Sequence, residues 1–149
     1  MTQSFDRLVQ IREFKLYQAN QEAVSLMQSR ELLEKEQEKL AQLITFQQEY
    51  YQSNAWGQTG RLNAVFLARF ERFLSGLTEA IEQQEKQVKY CQYQVNIQAK
   101  KWDLAKHKVL ALDKVSDIRN LALLRKENKS QQIELDDRVA HRLAVEMHE

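Results

Sequence analysis

LARFERFLSGLTEAIEQQEKQVKYCQYQVNIQAKKWDLAKHKVLAL, residues 67–112, decides the fold. Stepping alternately three and four residues from Leu67 picks out Leu67, Phe70, Leu74, Leu77, Ile81, Gln84, Val88, Cys91, Val95, Gln98, Trp102, Ala105, Val109 and Leu112. Twelve of these fourteen are apolar. Spacing near 3.5 held over six heptads is that of a coiled coil, because it keeps one seam facing a partner helix along the whole length.

A second, weaker stripe lies upstream. From Phe5 it runs through Val9, Arg12, Leu16, Ala19, Ala23, Leu26, Arg30, Leu33, Gln37, Leu40, Ile44, Gln47 and Tyr51, with ten of fourteen positions apolar. Between the stripes lies SNAWGQTGR, residues 53–61, which carries two of the chain's three glycines. It is the one credible reversal point, and Asn63 is placed to cap the helix that follows. The remaining glycine, Gly76, falls inside the strong helical pattern. There it costs about 1 kcal/mol against alanine, so a packing or contact reason is expected.

The stripes predict an all-α fold, a long antiparallel two-helix coiled coil (an α-hairpin), as a single unit over residues 1–149. Arm one is expected at about 4–54, the turn at about 55–62 and arm two at about 63–143. Simple antiparallel register sets Phe5 opposite about residue 112. There the second stripe loses phase: Ser116 and Arg119 fall where apolar residues are expected, and Val115, Ile118 and Ala122 take over one step earlier. This three-residue slip is a stammer. It predicts that the partner helix ends near Leu112, leaving an overhang from about 113 free or paired with another protein.

Composition closes off the alternatives. The chain has 149 residues, no proline and three glycines, so it lacks the turns that all-β and alternating α/β folds require. The net charge of +1 provides no field to steer it onto nucleic acid or an acidic membrane. The single cysteine, Cys91, excludes an internal disulfide and points to a reducing compartment. No apolar run reaches the length of a membrane span, and MTQSFDRLVQIREF has no leader-like core. A cytoplasmic, soluble protein is expected, touching a membrane only through partners.

Catalytic chemistry is missing from the pattern. His107, His141 and His148 have no second ligand at metal spacing on a shared face. Cys91 sits on the stripe between Val88 and Val95, as a buried small hydrophobe does. Gly57 and Gly60 lack the residues that complete a phosphate loop. Glu31, Glu34, Glu36 and Glu38, interleaved with Lys35 and Lys39, read as surface i,i+4 pairs. No enzyme, metal or cofactor is expected. Residues 100–129 hold nine Lys/Arg against four Asp/Glu. This is a basic face that suits a solvated helix or an acidic protein partner, and less well a nucleic-acid-binding rod.

Aromatic residues crowd the turn. Tyr51, Phe70 and Leu74 belong to the expected seam. Leu43, Phe46 and Tyr50 form a second ridge beside it, matched on arm two by Phe66, Phe73, Leu77 and Ala80. Two helices need only one seam, so part of this surface should face outward, as a docking patch or as a widened core.

The segments LITFQQEYYQSN (43–54) and FERFLSGLTEAIEQQ (70–84), with KKW at 100–102, resemble the flagellar FliJ family over most of the chain. The resemblance implies a soluble component of the flagellar type III protein export apparatus, serving flagellum biogenesis and motility at the inner-membrane base of the flagellum. It implies a two-helix coiled coil similar to that of the rotary ATPase γ subunit. Such a stalk inserts in the hexameric export ATPase FliI, promotes ring assembly, binds the membrane gate protein FlhA and handles export chaperones. The implied gate-binding patch is Leu43, Phe46, Tyr50, Phe73, Leu77 and Ala80. Lys39 and Gln84 depart from the familiar Gln and His at those places. Injectisome stalk proteins of the YscO-like group share the architecture, and a generic homodimeric coiled-coil scaffold is the reading from the stripes alone.

Overall fold

The computed structural model describes residues 2–53 and 64–148. The expected reversal at 55–62, with Trp56, Gly57 and Gly60, and the Asn63 cap lie outside the described residues, as do the side chains of Thr2, Phe5 and Ser53. The fold is all-α. Helix α1 spans Thr2–Ser53 and helix α2 spans Ala64–Met147, 52 and 84 residues long. Neither helix contains proline, and long straight-chain residues dominate both, so nothing in either interior removes a backbone bond. After α2 the His148 N–H donates to the Val145 carbonyl at 3.3 Å.

Contacts divide the chain into two units, one of Gln18–Leu104 and one of Met1–Tyr17 with Ala105–Glu149. In Gln18–Leu104 the helices run antiparallel. Every α2 stripe position from Leu67 to Trp102 is buried or half-buried. Phe70, Leu77, Ile81, Cys91 and Val95 are the buried ones, and Ala19 and Leu26 are buried on α1. Each fully buried aliphatic side chain is worth about 1.5–3 kcal/mol. This seam is the main source of cohesion in the unit.

On α1 half of the expected stripe moves by one residue. Ala19, Leu26, Leu33, Leu40 and Gln47 face inward as the spacing predicts, but Arg30, Gln37 and Tyr51 are exposed. Ser29, Glu36 and Tyr50, one position earlier, are turned in instead. The reason is geometric. Heptad spacing is rigid, so the row that sets Tyr50 against Phe70 also brings in Glu36, seven and seven residues back. Glu36, expected on the surface, is the buried polar residue of the seam, at 8% exposure.

Two polar layers accommodate this choice. The Gln84 amide donates to the Glu36 carboxylate at 2.6 Å and to the Glu36 carbonyl at 2.9 Å. The Gln98 amide does the same to Glu22, reaching its carbonyl at 3.3 Å and its carboxylate. The pairs 36/84, 22/98 and 50/70 each add to 120, which is one continuous register. Lys39 stays outside and bonds Glu36 at 3.3 Å along the helix.

In the second unit Val109 is buried and Leu8, Arg12, Leu112, Asp113 and Ser116 are half-buried. Arg12 donates through Nε to the Asp113 carboxylate. That hydrogen bond first, and the Asp113 charge second, hold the Arg12 pKa above its ordinary value. Arg119 donates to Ser4, at 2.9 Å to the hydroxyl and 3.4 Å to the carbonyl. The expected end of pairing near Leu112 is therefore passed, since Ser4 stands opposite Arg119. The stripe keeps its phase by using polar side chains, Ser116 and Arg119. Val115 and Ile118, expected to take over, are 51% and 67% exposed. From Asp117 to His148 every residue is exposed.

Candidate functional site

Five aromatic rings cluster in the Gln18–Leu104 unit where the last turns of α1 meet the first turns of α2. Tyr50 stacks on Phe70 with centroids 5.2 Å apart and also meets Phe73 at 4.6 Å. Phe46 meets Phe73 edge-on at 6.2 Å and Tyr50 at 6.3 Å. Phe66 stacks on Phe70 at 6.5 Å. Separations of this kind add about 0.5–1.5 kcal/mol per pair beyond simple burial.

The cluster has an inside and an outside. Phe70 is buried and Tyr50 half-buried, while Phe46 and Phe73 remain 48% and 41% exposed. Of the six expected patch residues, Phe46 and Phe73 present open faces. Leu43, Tyr50 and Ala80 are half-buried beside them, and Leu77 is buried in the seam. The six are thus layered: two outward anchors stand over four supports. Phe66, 53% exposed, extends the outward surface beyond the six. The sequence ridge of arm two already included it, four residues before Phe70.

Gly76 lies within this surface, three residues after Phe73 and four before Ala80. A Cβ there would meet nothing within 4 Å, and no glycine among the described residues has positive φ. The expected packing reason for glycine is not supplied by contacts among the described residues. Gln84 faces the seam rather than the patch, through its bonds to Glu36. That hydrogen bond, foremost, holds the Glu36 carboxyl below the usual carboxylate range, with Lys39 assisting against desolvation.

The remaining chemistry is sparse. Cys91 is buried at 2% exposure, with the Gln87 amide 3.9 Å from its sulfur. Among the described residues no three His, Cys, Asp or Glu side chains group as a metal site. No helix among them is long and apolar enough to cross a membrane.

The family model described as "Flagellar FliJ protein" matches residues 2–147, nearly the whole chain. No curated protein matches it.

Proposed function

The chain belongs to the flagellar FliJ family, and on that premise we propose that it is the stalk of the flagellar export ATPase. The family is a non-catalytic part of the flagellar type III export apparatus, and membership makes this chain a component of that apparatus. In our reading the helix pair enters the central pore of a FliI-like hexamer, promotes ring assembly and couples it to an FlhA-like gate. It also handles export chaperones. It acts in the cytoplasm, held at the inner membrane through its partners.

The observation that carries this reading is the layered aromatic cluster on a long antiparallel helix pair. A stalk needs stiffness, and paired helices locked by a hydrophobic seam and two polar layers resist bending and sliding better than one helix. It also needs a fixed anchor for the gate. Exposed aromatic side chains whose rings are already held by neighbours lose little entropy on docking, which is why such residues dominate interface energies.

The test mixes the purified chain with the FliI-like ATPase and follows ATP turnover and ring formation. A rise in both supports the stalk assignment; an unchanged turnover with no rings refutes it. Gate binding is measured separately, against the FlhA-like protein.

A further inference from the structure

From residue 117 onward α2 exposes every side chain, including Ile118, Leu121, Ile133, Val139, Leu143 and Met147, at 53% to 87% exposure. A helix that shows this much apolar surface to water is normally covered, because helical stability comes chiefly from packing an amphipathic face. The apolar residues are ordered. Val115, Ile118, Ala122, Ile133, Ala140, Leu143 and Met147 follow steps of three and four, with one four-residue step repeated at Lys129–Ile133 and with Arg125, Lys129 and Asp136 interrupting the centre.

The charges say what covers it. Residues 114–129 hold five Lys/Arg against two Asp/Glu, a net +3, and residues 130–149 hold two against five, a net −3. Such a segment is complementary to itself only when reversed. In a parallel pair Arg125 and Lys129 meet their own copies. In an antiparallel pair Arg125 meets Asp136, while Ile118 and Ala122 meet Leu143 and Ala140. The apolar ends then close on each other, Arg125 and Asp136 neutralise each other twice across the two-fold axis, and the interface has the self-complementary form of a two-fold dimer.

We propose that the exposed segment from about residue 117 to Met147 pairs antiparallel with the same segment of a second copy. At about 1.5 Å per residue the overlap is roughly 45 Å long, ample for a two-stranded coiled coil. Asp136 already accepts from Gln132 at 3.5 Å on the solvent side, which leaves its carboxylate able to receive a cation from across the pair. The proposal goes beyond the stalk reading and stands without it.

The test uses the full chain in sedimentation equilibrium, with two charge-reversed variants. One carries Arg125→Glu; the other carries Asp136→Lys. Both positions are exposed, and the new residues are good helix formers, so circular dichroism should be unchanged. The wild-type chain dimerises. Each variant alone dimerises at least about tenfold more weakly, because two symmetric sets of attractions become repulsions. An equimolar mixture of the variants recovers wild-type affinity as a heterodimer. A wild-type chain that stays monomeric at all accessible concentrations overturns the proposal and leaves this face to a different partner. Dimerisation that the variants do not weaken, or a mixture that fails to recover, overturns the antiparallel charge match.

Discussion

Replacing Phe73 by alanine separates a docking surface from a widened core. At 41% exposure, a side chain of about 200 Å² leaves about 80 Å² open. Covering that area in a complex is worth about 2 kcal/mol at about 25 cal/mol per Å², or roughly thirtyfold in Kd. The same substitution removes ring contacts at 4.6 Å to Tyr50 and 6.2 Å to Phe46. Those losses lower stability by about 1–2 kcal/mol and Tm by a few degrees. Phe70→Ala is the opposite case. With Phe70 only 3% exposed, its removal costs stability by about 3–5 kcal/mol, and it has little surface to lend a partner. Titration calorimetry against the FlhA-like gate protein, with circular dichroism at the same temperature, distinguishes the two effects. Phe73→Ala should retain its helix content and lose about thirtyfold in affinity. A Phe73→Ala chain that stays helical and binds the gate with unchanged Kd would refute the docking role and return the ring to the core.

Three further outcomes are expected. Gly76→Ala should raise Tm, since a Cβ meets nothing within 4 Å and an interior glycine costs about 1 kcal/mol; an unchanged or lowered Tm in thermal melts counts against an unstrained helix there. Gln84→Leu should destabilise the chain at neutral pH by leaving the Glu36 carboxylate without its amide, whereas adding Glu36→Leu should restore stability. Glu36 has its folded pKa lowered, so its contribution is full above the ordinary glutamate value and is lost as pH falls through the folded value. The Gln84→Leu deficit should therefore shrink in acid, and urea unfolding across a pH series that finds it constant or growing contradicts the layer. Arg119→Ala should speed amide exchange in the first turns of α1 through loss of the bonds to Ser4; unchanged exchange there would mean those bonds do not hold the helix start.

The α2 seam was fully legible because its apolar residues stand alone on their face. From Leu67 to Leu112 each position stepped off by threes and fours is turned inward. The α1 seam was half legible because two adjacent rows compete. Ile44 and Tyr51 argue for one row and Leu43 and Tyr50 for the next, and apolar counts cannot choose between them. Only the partner helix can, since Tyr50 rather than Tyr51 lies against Phe70. The outward ridge of Phe46 and Phe73 was readable as surplus apolar surface, because one seam cannot take two ridges.

The polar layers left a signal that hydrophobic periodicity ignores. Gln84 and Gln98 are the two non-apolar members of the α2 stripe, and they stand fourteen residues apart. Glu22 and Glu36 on α1 have the same separation. In an antiparallel pair, two polar positions on one helix need two on the other at equal spacing, because an unpaired carboxylate or amide in a seam is costly. The bonds between those pairs set the register at an index sum of 120 and place Tyr50 against Phe70 as a consequence. Beyond Leu112 the same logic applies to charge. Ser116, half-buried, and Arg119 carry the seam's phase where apolar residues were sought, and Arg119 finds its acceptors on Ser4. What looked like a slip in the pattern is a change in the kind of side chain that carries it, so the end of a helix pair has to be sought in donors and acceptors as well as in leucines.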